Sequence, residues 1–533
     1  MDQANEVGAM DLNRRELLRR GGLTGLALVG GAAVLSACGG GGGTGPSNFA
    51  TTVAPPSGPP KRGGTMIHGT AGGSTADSLT AYNINSGADF SRWRAQYETL
   101  WAPNENYEIK PFLLESYDVN PGLDVWTLRL KKGIEFSDGR TATMHDMLFS
   151  IQQLMSPEVG SALGIVSAGI DLANTTVLDD LTLRVKLKSG LVNFPEIMCF
   201  AALVPRGYDP EKPIGTGPYK ISEFTPGSLT QFVRHPNYWQ NGKPYCDELH
   251  IVEFQDESSR VNALLDGQIL AADSMEFALL DLVRGKPGVN VLQQKTNSWI
   301  PLQMRCDKPP FDDVRVRQAF RLLIDRPAMN EGAFQGHAVL AKDLYSQNDP
   351  IFAAALPDRV RDLDKAKFLL KQAGAENLQV TLTTGDLGTG VLSMSQLFAA
   401  QAKQAGVDVV IDKLDSASFY GPNYGTYLFS PNVSAPADYL RTVQSFDGPD
   451  SQQNFTFFHD DAFSSLYFQA VKEQDFGKRK ELAFAMQQIQ YDTGGLIITG
   501  FYDAFDGYST KLNGLVPNVS GLGIYNYADL WLS

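Results

Sequence analysis

The sequence predicts an α/β protein built from more than one lobe. Three observations lead there. Its 533 residues exceed what a single hydrophobic core commonly serves. Hydrophobic residues make up 43% of the chain, well above the content of chains that stay unfolded. Strand-type and helix-type periodicities alternate along its length. The formal charge of −14, with Lys and Arg scattered rather than run together, argues against a nucleic-acid or anionic-membrane partner.

Residues 1–37 read as an export signal rather than as part of the fold. Arg14-Arg15 precedes a short apolar stretch, Leu23 to Val34. As a helix that stretch would rise only about 18 Å, against roughly 30 Å of bilayer hydrocarbon. Gly25, Gly30 and Gly31 weaken it further. A charged start, an apolar middle and a small-residue end fit a signal peptide. Its close, Leu35-Ser36-Ala37-Cys38, resembles a bacterial lipobox, in which Cys38 is lipidated and becomes the first residue of the mature chain. The Arg14-Arg15 pair looks like a twin-arginine signal. An ordinary basic start read by the general secretory route is the competing reading, because Arg19-Arg20 stands nearby. Residues 38–62 carry five consecutive glycines (Gly39 to Gly43), then Pro46, Pro55, Pro56, Pro59 and Pro60, as a flexible tether would. The body is thus expected on the exported side of a membrane, periplasmic or cell-surface, held by a lipid.

The body then alternates. A turn at Asn120-Pro121-Gly122 leads into a strand from Val125 to Leu130. Leu181, Leu183, Val185 and Leu187 alternate with polar residues, the period of a half-buried strand. Val316, Ala319, Phe320 and Leu323 form the apolar stripe of a helix. Ala366, Leu369, Leu370 and Ala373 repeat at helical spacing and Gly374 stops them. Leu378, Val380 and Leu382 alternate again; a helix follows from about Leu392 to Ala405, then Val407, Val409 and Ile411. Residues 378–411 therefore read as a strand–helix–strand unit with parallel strands. Cys199, Cys246 and Cys306 permit at most one disulfide, so stability must come from the core; a buried free thiol is the default for each.

No catalytic pattern accompanies this fold. The six histidines are too widely spaced for a metal motif, and neither a Gly-x-Ser-x-Gly elbow nor a Walker A loop occurs. Ile214 to Tyr219 is glycine-rich, but Pro218 opens no phosphate-holding helix, so it reads as a turn. Asp312-Asp313 and Asp460-Asp461 read as helix caps or solvated carboxylates. An exported, tethered α/β protein of this kind reads as a binder, not an enzyme, with no cofactor and no bound metal.

Six segments stand in order along the chain: Gly63-Gly64-Thr65-Met66, Tyr97-Glu98-Thr99-Leu100, Lys132 to Gly139, Gly215-Thr216-Gly217-Pro218-Tyr219, Arg234 to Trp239, and Phe311 to Asp325 with Arg326. Together they resemble the family 5 extracytoplasmic solute-binding proteins of peptide and nickel ABC importers, the oligopeptide- and dipeptide-binding type. The resemblance implies a two-lobed clamshell with an extra subdomain in the N-terminal lobe. It places lobe I at 63–104 and 206–298, the subdomain at 105–205, lobe II at 299–499, and a return to lobe I at 500–533. It also implies a peptide or small-molecule ligand between the lobes, an ABC permease as partner, and a monomer.

In peptide-binding relatives an aspartate in a short Ala-Asp-Tyr segment anchors the ligand amino group, and Ala437-Asp438-Tyr439 is similar to it. The tryptophan usual just upstream is missing from Val433 to Pro436, and a solvated loop carboxylate is the competing reading for Asp438. The loop from Thr384 to Ser393 contains Asp386 and lacks the Lys or Arg that would clamp a short peptide's carboxylate. A longer peptide, an amine-bearing amide or another cationic solute fits better than a dipeptide; an oligosaccharide or metal chelate is the alternative ligand, and an exported hydrolase the alternative class. From lobe I, Phe90, Trp93 and Tyr97 share a helical face that points either to the cleft or to the core. Ser74, after Gly72-Gly73, sits in a loop of the kind that approaches ligand in relatives, or in a plain small-residue turn.

Overall fold

The computed structural model describes Val53 and residues 58–533, apart from 75–76, 85, 162–168, 386, 389, 434–436, 450 and 452. The expected signal peptide, the Cys38 anchor and most of the tether lie outside the described residues, as do Asp386 and the segment before Ala437. No helix among the described residues is long and apolar enough to cross a membrane.

A nine-stranded sheet organises the body. Its order is Phe429–Pro431, Val289–Met304, Leu496–Ser509, Ala271–Ala272, Thr65–Ala71, Glu248–Phe254, Leu229–Arg234 and Tyr219–Thr225, with Ala338–Leu340 added on Leu496–Ser509. The two long strands pair antiparallel from Val289↔Ser509 to Gln303↔Leu496, with irregularities between Gln294 and Ser298 and between Trp299 and Pro301. Both are buried along most of their length, so they lack the alternation of a half-exposed strand. They serve two lobes at once. Toward one end they join the strands around Thr65–Ala71; toward the other, Leu302 and Met304 pack with the rings of Phe311, Phe320, Phe398 and Phe429, whose centroids lie 5.0 to 5.8 Å apart.

A four-stranded antiparallel sheet stands apart, in the order Leu114–Val119, Val125–Leu130, Thr182–Lys186, Thr176–Asp179. The predicted alternation holds: Trp126, Leu128, Leu130, Leu183, Val185 and Leu187 are all buried. Phe194 packs against Trp126 and Trp101 at ring distances of 5.2 and 5.9 Å and pins the five-residue helix Phe194–Met198 onto this core. In the second lobe, Gln379–Gly385, Val391–Ala402 and Asp408–Leu414 form the expected strand–helix–strand unit, the strands parallel from Gln379↔Asp408. Asp313 and Asp460 are helix N-caps that accept from Arg315 and Phe463 backbone N–H groups. Cys199, Cys246 and Cys306 are free thiols.

The family-like segments meet in space. Tyr238 Oη donates to Glu98 at 2.7 Å and Trp239 Nε1 at 3.0 Å, while Gly217 N donates to Gln96 O at 2.9 Å. A Cβ on Gly215 would lie 2.0 Å from Gln96 O, so only glycine allows that approach. Burial pushes the Glu98 carboxyl up to about 7 despite these donors. In the helix Val314–Leu322, Val316, Ala319 and Phe320 are buried while Arg317 and Arg321 donate to Thr493 O, Tyr491 O, Gly494 O and Leu496 O. Those carbonyls end the helix Phe476–Thr493 and open the strand Leu496–Ser509.

Asp343 gathers the same region. It meets Arg326 at 2.7 Å, Arg359 at 3.0 Å and Arg321 at 4.0 Å, and accepts from Ile498 N at 3.0 Å. The three guanidiniums hold its carboxyl below the usual range against strong desolvation. Asp343→Asn strands buried cations, so the urea midpoint should fall by an amount equivalent to about 3–5 kcal/mol. An unchanged midpoint would show that solvent already screens the cluster.

Candidate functional site

Asp438 is held in place from three sides. It is the N-cap of helix Tyr439–Phe446, its Oδ1 accepting from Arg441 N at 3.0 Å. Ser346 Oγ donates to Ala437 O at 2.9 Å, and Tyr439 N donates to Asp349 Oδ2 at 2.7 Å. The Tyr439 ring is fully buried; it stacks on Tyr345 at 5.5 Å, which stacks on Trp299 of the long strand at 5.4 Å, and its hydroxyl donates to Gln490 Oε1 at 2.7 Å. Tyr439 therefore positions Asp438 and does not itself face the cavity beside it.

That cavity, about 450 Å³, is lined by residues far apart in the chain. Asn193 and Glu196 come from the start of the short helix Phe194–Met198, Asn297 from the irregular stretch of the long strand, Asp438 from the N-cap of helix Tyr439–Phe446, and Asp349 from the loop that bonds to Tyr439 N. Asp349 has both oxygens bonded, to Ile351 N and Tyr439 N. The others do not. Asp438 Oδ2, Glu196 Oε2, Asn297 Oδ1, and both Asn193 Oδ1 and Nδ2 are shut off from solvent without a hydrogen-bond partner among the described residues. Asn193 and Asn297 are only 3% and 6% exposed. Asn193 is also a helix N-cap that makes no side-chain cap bond. Its amide is free for something else.

The local charge is acidic. Burial pushes the Asp438 and Glu196 carboxyls up from their ordinary values, and the charges of Asp349 and Asp438 raise them further. Arg441, stacked over the Phe200 ring at 4.6 Å, lowers both. Arg479 lines the cavity with its guanidinium donating to Glu473 O at 2.8 Å. Burial and the Asp438 charge lift the Tyr107 phenol, and burial and Glu196 lift the Cys199 thiol. Three carboxylates facing two guanidiniums favour a cationic guest. No group of three His, Cys, Asp or Glu side chains among the described residues could hold a metal ion.

The remaining sequence candidates lie elsewhere. Trp93 is buried, donating from Nε1 to Ala81 O at 3.2 Å; Tyr97 is buried and bonds to Leu79 O at 2.8 Å; Phe90 packs edge-on to Tyr525 at 5.1 Å. Ser74 is exposed and bonds to Asp77 Oδ1 at 3.0 Å. None of these four lines the cavity with Asp438. Asn193, Glu196 and Asn297 escaped the sequence reading. Asn-Phe-Pro-Glu reads as an ordinary helix start, and nothing in it tells that the Asn amide turns away from its cap role.

A family model, bacterial extracellular solute-binding proteins, family 5, matches residues 108–456. The glutathione-binding protein GsiB of Escherichia coli K12 is 24% identical over 439 residues, covering 78% of this chain and 85% of that one. The periplasmic binding protein DppA of Helicobacter pylori, solved with the peptide STSA, superposes with a TM-score of 0.77 at 22% identity, covering 89% and 98% of the two chains. NikZ of Campylobacter jejuni, solved with Ni(L-His), superposes with a TM-score of 0.77 at 18% identity, covering 87% and 99%.

The raised carboxyls set a pH dependence. Ligand-free folded protein retains protons on Glu196 and Asp438 that the unfolded chain has released, so their contribution favours the folded state in acid and is lost as pH rises through the raised folded values. Glu196→Gln should raise the melting temperature more at about pH 8 than at about pH 5. Equal increments at both would mark Glu196 as an ordinary ionised glutamate.

Proposed function

The chain belongs to the bacterial extracellular solute-binding proteins of family 5, and from that premise we propose that it captures peptides, or peptide-like solutes with a cationic amine, at Asp438. It is an extracytoplasmic substrate-binding protein of an ABC importer. The observation that carries the ligand class is the buried, unbonded Oδ2 of Asp438, a residue that lines the cavity. An acceptor left so costs about 1–3 kcal/mol, more when charged. An ammonium offers both N–H donors and the missing countercharge. Glutathione and the peptide STSA, the ligands of two similar proteins, point the same way.

The mechanism is capture without turnover. Lobe I, at 63–104 and 206–298 with its subdomain at 105–205, and lobe II, at 299–499, close on the guest about the irregular stretches of the two long strands. Residues 500–533 return to lobe I. In the empty cleft burial and mutual repulsion keep Asp438 and Glu196 from ionising together; a bound cation favours both as carboxylates and attracts each, a differential contact of the kind that drives closure. The closed form then docks on the permease. The body acts as a monomer, tethered through residues 38–62 to a lipid on Cys38, a reading that rests on Leu35-Ser36-Ala37-Cys38.

Thermal-shift screening of pooled short peptides, polyamines and sugars tests the ligand class. Ligand at a hundred times its dissociation constant stabilises the folded state by about 2.7 kcal/mol. Peptides with free N-termini should shift the melt, their N-acetylated forms should not, and Asp438→Asn should abolish the shift. A sugar response that survives in Asp438→Asn would refute the reading.

A further inference from the structure

Resting on that reading, we propose that Asn193 is a specificity-determining residue. It selects a ligand in which the ammonium adjoins a neutral amide, and Glu196 and Asn297 complete the cage with Asp438. The argument is a balance of hydrogen-bonding atoms. The residues lining the cavity hold four buried acceptors without donors among the described residues: Asp438 Oδ2, Glu196 Oε2, Asn193 Oδ1 and Asn297 Oδ1. They hold one buried donor without an acceptor, Asn193 Nδ2. An ammonium has three N–H groups and no acceptor. Alone it leaves the Asn193 amide unmatched, and so does a polyamine. A free amino acid offers an acceptor to Asn193 Nδ2, but as a carboxylate brought among Asp438, Glu196 and Asp349, which is repulsive. A sugar hydroxyl can both donate and accept, yet leaves the carboxylates without countercharge. An α-amino amide satisfies every position. Its ammonium serves Asp438, Glu196 and Asn193 Oδ1, the carbonyl of the same residue accepts from Asn193 Nδ2, and its amide N–H, on the opposite side of the trans peptide, donates to Asn297 Oδ1.

Asn193 has no structural duty that would explain it otherwise. It occupies a helix N-cap, where an asparagine side chain ordinarily accepts from the first turn, yet it makes no such bond and is 3% exposed. Leaving both ends of an amide buried and unbonded destabilises the ligand-free protein, and replacing such a group by an apolar one of similar shape is neutral or stabilising.

The full-length protein and its Asn193→Leu, Asn193→Ser, Glu196→Gln and Asp438→Asn variants are titrated by calorimetry with a pool of free tripeptides, the amino-acid amides of the same residues, the free amino acids and spermidine. In the wild type, tripeptides and amides should bind and spermidine and free amino acids should bind at least roughly tenfold more weakly. Asn193→Leu should lose tenfold or more for tripeptides, close the gap to spermidine, and melt without ligand at or above the wild-type temperature. A structural Asn193 would instead lower that melt. Asn193→Ser gives the same readout should the leucine variant fail to fold. Glu196→Gln should weaken every cation. Tripeptide affinity unchanged in both Asn193 variants, or spermidine bound as tightly as tripeptides by the wild type, overturns the inference while Asp438→Asn still loses binding. Binding that survives Asp438→Asn, or a wild type that binds none of the probes, overturns the functional reading beneath it.

Discussion

Because Val289–Met304 and Leu496–Ser509 pair from Val289↔Ser509 to Gln303↔Leu496, a group carried by one strand is held in register with the other. The cavity inherits its geometry from this pair. Asn297 sits where the ladder is irregular, so its side chain is not bound to strict alternation across the sheet. Trp299, two residues on, starts the stack through Tyr345 to Tyr439 that sets the helix start carrying Asp438. The far end of the second strand is held from behind: Arg321 takes Leu496 O, and Asp343 takes Ile498 N while meeting three guanidiniums. Packing and ion pairs at the back thus place a carboxylate at the front.

Local rules hold nearly everywhere around the cavity and fail within it. Asp256, Asp313, Asp325, Asp362, Asp460 and Asp475 all cap helices with a side-chain acceptor, as the residue type favours. Asn193 occupies the same kind of position without doing so. Asp438 caps with one oxygen and leaves the other unbonded. Departures from local consistency in an otherwise consistent fold concentrate where function demands them.

Much of the fold was legible because its elements are half-buried. Val125–Leu130 and the 378–411 unit announce themselves through period-2 and helical stripes, and the helix Val314–Leu322 through its apolar face. The family-like segments were legible as motifs, and the structure gives the reason: Glu98, Gly215, Gly217, Tyr238, Arg317 and Arg326 make contacts that few other residues could make. They report the scaffold, not the guest. For the same reason the helical face of Phe90, Trp93 and Tyr97 packs inward, Trp93 and Tyr97 buried and Phe90 half-buried against the core. Asp438 was reachable through a three-residue resemblance. Asn193 and Glu196 were not, because their meaning lies in what is missing around them, and a missing partner leaves no trace in spacing or composition.

The contrast among buried carboxylates makes the site visible without any relative. Asp273 has His68, Arg260 and Tyr525 around it; Asp447 accepts from Tyr345 and Gln490; Asp506 accepts from Ser274 N and Gln294; Glu98 has Tyr238 and Trp239. Burial pushes Asp447 up to about 6 and Asp506 up to about 8, so a raised value alone distinguishes nothing. What distinguishes Asp438 and Glu196 is that each keeps an unbonded oxygen while lining the same cavity as two asparagines with unbonded amide atoms. Unbonded oxygens elsewhere are hydroxyls such as those of Thr70 and Thr230, or belong to Asp77, Glu253 and Asp343, whose carboxylates already face Arg92 or Arg359. Several such acceptors, carried by residues that line one cavity but stand far apart in the chain, form a set that a single donor-rich guest can satisfy at once.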